Sequence, residues 1–301
     1  MAGGTTLPRR ALGRRMRELR AAAQKSQLAA GLAIDVSKQG IGRLEEGRPV
    51  RISRVQFREL LGFYDADEDV KAEVLGLLQE IRAARGDDSN FWWRPFADVI
   101  NPNFNHFISL ESAASRITSY RLTLVPGLLQ TRAYRRWIVE ASDPTLSRSE
   151  VDHHVEVVAG RKRKLSEPGF SFEVLLSECV FRHQLGGPEV MLEQLRHLAE
   201  VARLPNVSIR AIPFDAGTHP GLVLGSFVLV EFPPLHPGRI PEAPLIFTEG
   251  FTGGLFVEND DVVSTYRSSL DELRTFASSA EDTIRLIETI ADGYDSTRRM
   301  V

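Results

Sequence analysis

The chain has 301 residues, 43% of them hydrophobic and 26% charged, which allows about two cored domains of ordinary composition. Its one cysteine, Cys179, excludes an internal disulfide framework and any cysteine-based zinc finger. The near-neutral balance of 37 Lys+Arg and 40 Asp+Glu hides a split: residues 1–58 carry thirteen bases against four acids, and the remainder is acidic. A basic head on an acidic body suits a polyanionic partner, although a solvated basic face would look the same.

In chain order, Leu12, Met16, Leu19 and Ala23 recur at helical spacing and predict a first helix over 12–23. Ser26 can cap a second helix to about Ile34, and Ser37 a third to Glu45 or Glu46, which Gly47 would stop. Ser53 starts a fourth helix with Val55, Phe57, Leu60, Leu61 and Tyr64 as its apolar set. Asp67 starts a fifth with Val70, Val74, Leu77, Leu78 and Ile81 inward. This predicts an all-α domain of five helices over 1–86. A linker and packing segment follows at 87–104, with a turn-rich start at Gly86 to Asn90 and an aromatic stretch including Trp92 and Trp93.

Residues 105–301 read as a larger α+β domain. Helices are predicted at 105–118, 130–141 and 148–165, the last from the capping box Ser147 to Glu150. Another helix follows Pro188, with Val190, Met191, Leu195, Leu198 and Val201 inward. Strands are predicted at 170–177, 206–212, 225–232, 244–249 and 254–258, and helices at 259–277 and 279–292 close the chain.

The informative stretch is 26–47, SQLAAGLAIDVSKQGIGRLEEG. Two helices crossing steeply over a tight turn need a small residue where they approach; Ala30 and Gly31 supply it. Val36 can seal the turn, and Ile41 and Leu44 face inward. Lys38, Gln39, Gly42 and Arg43 fall on the outer side, where polar groups would meet base edges and phosphates. Asp35 stands at the turn position that needs the left-handed region, which Asp tolerates better than most residues.

On Ser26-Gln27, Val36-Ser37, Ile41, Arg43, Leu44, Glu45 and Gly47, the segment resembles the Cro/C1-type (XRE) helix-turn-helix family. The resemblance implies that Gln27 touches DNA near the backbone and that Ser37, Lys38, Gln39, Gly40, Gly42 and Arg43 form the contact surface on double-stranded DNA. It also implies a structural ion pair between Arg20 and Glu45. Gly40 and Gly42 depart from good helix composition; either the helix firms on DNA or glycine lets the backbone approach it closely. Residues 104–290 resemble the C-terminal domain of unknown function carried by actinobacterial regulators of this family. The resemblance rests on Leu110-Glu111 with Ala114 and Ile117, the run VPGLLQT at 125–131 with Tyr134, Arg161 to Leu165, Val190 to Leu198, Ile212-Pro213 with His219 and Gly221, Gly225 to Phe227 and Glu249.

Other groups support less. None of the seven histidines stands at metal-ligand spacing, so no metal and no cofactor is expected, and Cys179 reads as a buried inert thiol. Arg161 to Lys164 reads as a solvated helix end, and Ile212 to Phe214 with His219 as an ordinary loop. No catalytic motif is present, so no enzymatic activity is expected. No apolar run reaches the roughly 18 residues of a membrane helix, and Met1 to Arg20 has no apolar signal core, which points to the cytoplasm.

The expected function is that of a dimeric, sequence-specific transcriptional regulator whose recognition helix spans about 37–46. The larger domain would supply dimerisation and signal or partner input. The head's Leu12, Met16, Ile41, Leu44, Val55 and Leu60 are all required for its own core. Phe91, Trp92, Trp93 and Phe96, together with Leu270, Leu273, Phe276, Ile284, Ile287 and Ile290 of the terminal helices, are the apolar surface left for pairing. The alternative is an antitoxin-like module that binds a small partner protein encoded nearby and autoregulates its operon.

Overall fold

The computed structural model describes residues 6–83, 102–234, 242–250 and 253–298. The chain divides into two units, Met1–Phe91 with Phe232–Glu242 and Trp92–Glu231 with Ala243–Val301. The expected linker lies outside the described residues up to position 101.

Unit 1 contains α1 (Thr6–Ala22), α2 (Gln27–Ala33), α3 (Lys38–Glu45), α4 (Arg54–Phe63) and α5 (Glu68–Ala83). Serine caps set three starts. The Ser26 hydroxyl accepts from Ala29 N at 3.0 Å and that of Ser37 from Gly40 N at 3.1 Å. Ser53 and Gln56 form a reciprocal capping box. Met16, Ala30, Ile41, Leu44, Leu60, Leu61 and Val74 make the core, each large side chain contributing about 1.5–3 kcal/mol on burial. Val55 was placed in this core by its spacing, but it is 63% exposed. It is the second residue of α4, where Phe57, Leu60 and Leu61 define the inner side.

The connection 232–242 also belongs to unit 1, a membership that the sequence division 1–86, 87–104 and 105–301 does not contain. There the Arg10 guanidinium stacks 4.7 Å from the Phe232 ring centroid. Arg14 grips the buried Glu242 carboxylate with both terminal nitrogens.

Unit 2 is built on a six-stranded mixed sheet with helices. Its strands are β1 (Arg116–Arg121), β2 (Ser171–Ser177), β3 (Val207–Ile212), β4 (Phe227–Glu231), β5 (Leu245–Gly250) and β6 (Gly253–Val257), in the order β3-β2-β1-β4-β5-β6. The first three are parallel and the rest antiparallel. The helices are α6 (Pro102–Ala113), α7 (Arg132–Ser142), α8 (Arg148–Arg161), α9 (Cys179–Arg182), α10 (Pro188–Val201), α11 (Gly221–Leu224), α12 (Asp260–Phe276) and α13 (Ala280–Arg298). α12 packs on β4 and β5, and α13 on α10 and β3.

Four expectations for this unit change. The helix predicted at 105–118 ends at Ala113, and 116–121 is strand β1. The basic run at 161–164 is not solvated throughout: Arg161 and Lys164 are buried, and Lys164 donates to the Ser112 carbonyl at 2.7 Å. Cys179 is half-buried rather than enclosed, with its Sγ 2.8 Å from His183 Nε2. Leu270, Leu273 and Ile287 of the last two helices are buried in the unit's own core, so they offer no surface for pairing. Among the described residues no helix is long and apolar enough to cross a membrane, and no His/Cys/Asp/Glu group converges as a metal site.

Candidate nucleic-acid interface

The turn between α2 and α3 is drawn tight by backbone contact. Val36 N donates to Gly31 O at 2.8 Å. A Cβ on Gly31 would stand 2.3 Å from Val36 O, so only glycine allows this approach. Asp35 takes the left-handed conformation with φ +55°, and Gly47 closes α3 at φ +68°. α1 crosses α3 just as closely. A Cβ on Gly13 would meet Leu44 O at 2.4 Å, a constraint that helical periodicity alone does not reveal.

One carboxylate fixes α3 against this frame. Glu45 is buried, and Arg20 reaches it in a bidentate pair, Nε and Nη2 donating at 2.6 and 2.9 Å. Arg20 Nη1 also donates to Lys25 O at 2.9 Å. The hydrogen bond to Glu45 is the largest influence on Arg20, and it outweighs partial burial to hold the guanidinium firmly charged. Gln27 Nε2 donates to the same carboxylate at 2.9 Å, so this side chain braces α2 against α3. Tyr64 lies in the same environment. Burial first, and Glu45 second, push its phenol well above the usual range, and its hydroxyl has no hydrogen-bond partner.

The outer side of α3 is different. Ser37, Lys38, Gln39 and Arg43 are exposed, and Gly42 is half-buried. Ser37 is occupied as the cap. Among the described residues Lys38 and Arg43 have no carboxylate partner, nor do the exposed Arg51, Arg54 and Arg58 at and around α4. Four other arginines of the head are paired: Arg14 with Glu18 and Glu242, Arg15 with Glu18 and Glu73, Arg20 with Glu45, and Arg48 with Glu46. Among the described residues, uncompensated positive charge therefore lies on α3 and beside α4, and at Lys25, which faces only the Phe63 ring. Arg51, Arg54 and Arg58 were counted in the basic head but not singled out, because only the fold shows which bases lack partners.

The two glycines of α3 have separate environments. A Cβ on Gly40 would come 2.5 Å from Val36 Cγ1, so a larger residue there must displace the side chain that packs in the turn. On Gly42 it would meet only the Gln27 amide at 3.8 Å, an ordinary contact.

Two family profiles match the chain. One is described as a helix-turn-helix domain and covers residues 11–74. The other is described as a domain of unknown function (DUF5753) and covers residues 104–289. No curated protein and no solved structure matches the chain significantly.

Proposed function

We propose that this chain, which belongs to the family defined by the domain of unknown function DUF5753, is a transcriptional regulator of the Cro/C1 (XRE) type, of the kind actinobacteria carry. It acts in the cytoplasm, with α3 laid in the major groove of an operator. The observation that carries this reading is the charge pattern of the head. Lys38 and Arg43 flank Gln39 on one exposed face without acidic partners among the described residues, while Glu45 of the same helix is sealed by Arg20 and Gln27. Such a face meets phosphates by charge and base edges by hydrogen bonding. Gln27 holds the two helices in register, and Arg51, Arg54 and Arg58 add phosphate contacts. No catalytic step is assigned to either unit.

One helix-turn-helix makes too few contacts for tight specific binding, so the protein works as a homodimer on half-sites about one helical turn apart. Because Leu270, Leu273 and Ile287 of the terminal helices are spent in the core of unit 2, we assign pairing to the connection between β3 and β4 instead. There Phe214, Leu222 and Val223 are 64%, 60% and 91% exposed. The same apolar exposure favours the second reading, in which a small partner protein covers this loop and the chain serves as its antitoxin-like antagonist.

Selection of genomic fragments by the purified chain, with co-purifying proteins identified, tests both readings. Enrichment of a palindromic sequence supports the regulator. A chain that enriches only the promoter of its own operon and retains one small protein in stoichiometric amount supports the alternative.

A further inference from the structure

Around the end of α8, acidic unit 2 gathers three arginines beside two carboxylates. Arg161, the last residue of α8, and Glu111, on α6, are both buried. They form a bidentate pair, Nε and Nη2 donating at 2.6 and 2.7 Å. The run at 125–131 folds over this pair. A Cβ on Gly127 would stand 2.6 Å from Arg161 Nη1, so glycine leaves the guanidinium its space. The rings of Phe104 and Phe107 lie 5.2 and 5.6 Å from the same guanidinium.

Two more arginines share this environment. Arg135, on α7, has its Nε buried with no hydrogen-bond acceptor. Burial, and then the charge of Arg161, pull its pKa down to about 10. Arg121 ends β1, and its Nε donates to Ser119 Oγ at 3.0 Å. Burial is again the largest influence and lowers its pKa, with Glu249 opposing and Arg161 adding to the shift. Glu249, on β5, attracts all three guanidiniums but forms no direct ion pair with any of them, and it faces solvent. Gln130 Oε1 is buried without a partner too.

The balance is three cations against two carboxylates, and one carboxylate is consumed by Arg161. A buried guanidinium donor without an acceptor is costly to keep, and arginine forks match oxyanions in shape and charge. We propose that Arg121 and Arg135, set beside the Arg161–Glu111 pair, form a binding site for the carboxylate or phosphate group of a small molecule. Glu249, exposed beside them, is the competing anion that the ligand displaces. Every residue of the site belongs to unit 2, so the proposal is independent of DNA binding.

The test uses the full chain and two probes, inorganic phosphate and acetate, titrated calorimetrically at ionic strength held constant with chloride. Saturable binding is expected with a Kd on the order of millimolar or tighter. Preference for phosphate assigns a phosphate ligand, and preference for acetate a carboxylate ligand. Arg135→Gln and Arg121→Gln should each weaken binding about 10-fold or more, with native circular dichroism. Glu249→Gln, at an exposed position, should strengthen it several-fold by removing the competing charge. Absence of saturable binding of both anions by the wild-type chain overturns the proposal. So does unchanged affinity in folded Arg135→Gln and Arg121→Gln. If those two variants do not fold, Glu249→Gln decides alone: unchanged or weakened affinity overturns the site.

Discussion

Gly31→Ala is the sharpest test of the turn that aims the recognition helix. In an ordinary helix the change would stabilise, because alanine is favoured over glycine by about 1 kcal/mol. At this position the new Cβ meets Val36 O at 2.3 Å, Ser37 C at 3.3 Å and Lys38 N at 3.4 Å. All three are backbone atoms, so no side chain can swing away. Contacts under 3.0 Å do not persist, and the turn must open from 2.3 to 3.0 Å, about 0.7 Å. That movement strains the 2.8 Å bond from Val36 N to Gly31 O, worth about 1 kcal/mol. Overpacking of this kind costs about 1–3 kcal/mol; the lost hydrogen bond offsets the propensity gain of similar size, and a net loss of about 1–3 kcal/mol is expected. Gly76→Ala is the matched control. It lies in α5, is exposed and has nothing within 4 Å of its Cβ position, so it should stabilise by about 0.5–1 kcal/mol. Urea unfolding of both variants in the full chain measures the stability difference. Operator binding by fluorescence anisotropy should show Gly31→Ala weakened at least about 10-fold, because α3 is displaced as a body. A Gly31→Ala protein as stable as the wild type would refute the close-approach argument.

Four further outcomes are expected. Lys38→Ala, Gln39→Ala and Arg43→Ala should each weaken operator binding without unfolding, by about 1–3 kcal/mol for a base contact. A phosphate contact should instead lower the salt slope by about one unit, and unchanged affinity in all three removes the recognition-helix assignment. A double-mutant cycle on Arg20→Met and Glu45→Gln should give a coupling above the roughly 0.2–1 kcal/mol of exposed pairs, because the Glu45 side chain is only 3% exposed. Val223→Asp should shift the sedimentation equilibrium of the full chain from dimer toward monomer; an unchanged dimer removes the β3–β4 connection as the pairing surface. Stability should fall as pH drops from 7.5 to 5.5. Burial lowers the pKa of His154, His197 and His219 in the folded chain, so the unfolded chain binds the proton first below about 6.5. Their contribution is complete above that pH and is lost below it, at up to about 1.4 kcal/mol per unit for each histidine. Urea midpoints of the wild type and His219→Gln compare the slopes, and a steeper slope in the variant contradicts the sign.

The contrast between the two units shows what a local pattern can encode. The head was legible because its signals act within a few residues. Ser26, Ser37 and Ser53 each cap the helix they precede, and Gly31 and Asp35 fit a turn whose partners lie on either side. β1 was illegible for the opposite reason. It runs between β2 and β4, so Ile117, Thr118, Ser119 and Tyr120 are all buried and no polar alternation marks it as a strand. Leu110, Ala114 and Ile117, spaced by four and three, then imitate a helix that in fact stops at Ala113. The arginines follow the same division. Lys38 and Arg43 could be placed on an outer face from spacing alone, whereas Arg161 looks like one more base in a solvated run. Its environment is set by Glu111, fifty residues earlier, and by Gly127 in a different turn. A positive charge read from sequence therefore has two opposite meanings. On α3 it is exposed and available to a polyanion; beside Glu111 it is buried and already answered. Only the partner, close in space and remote in sequence, distinguishes them.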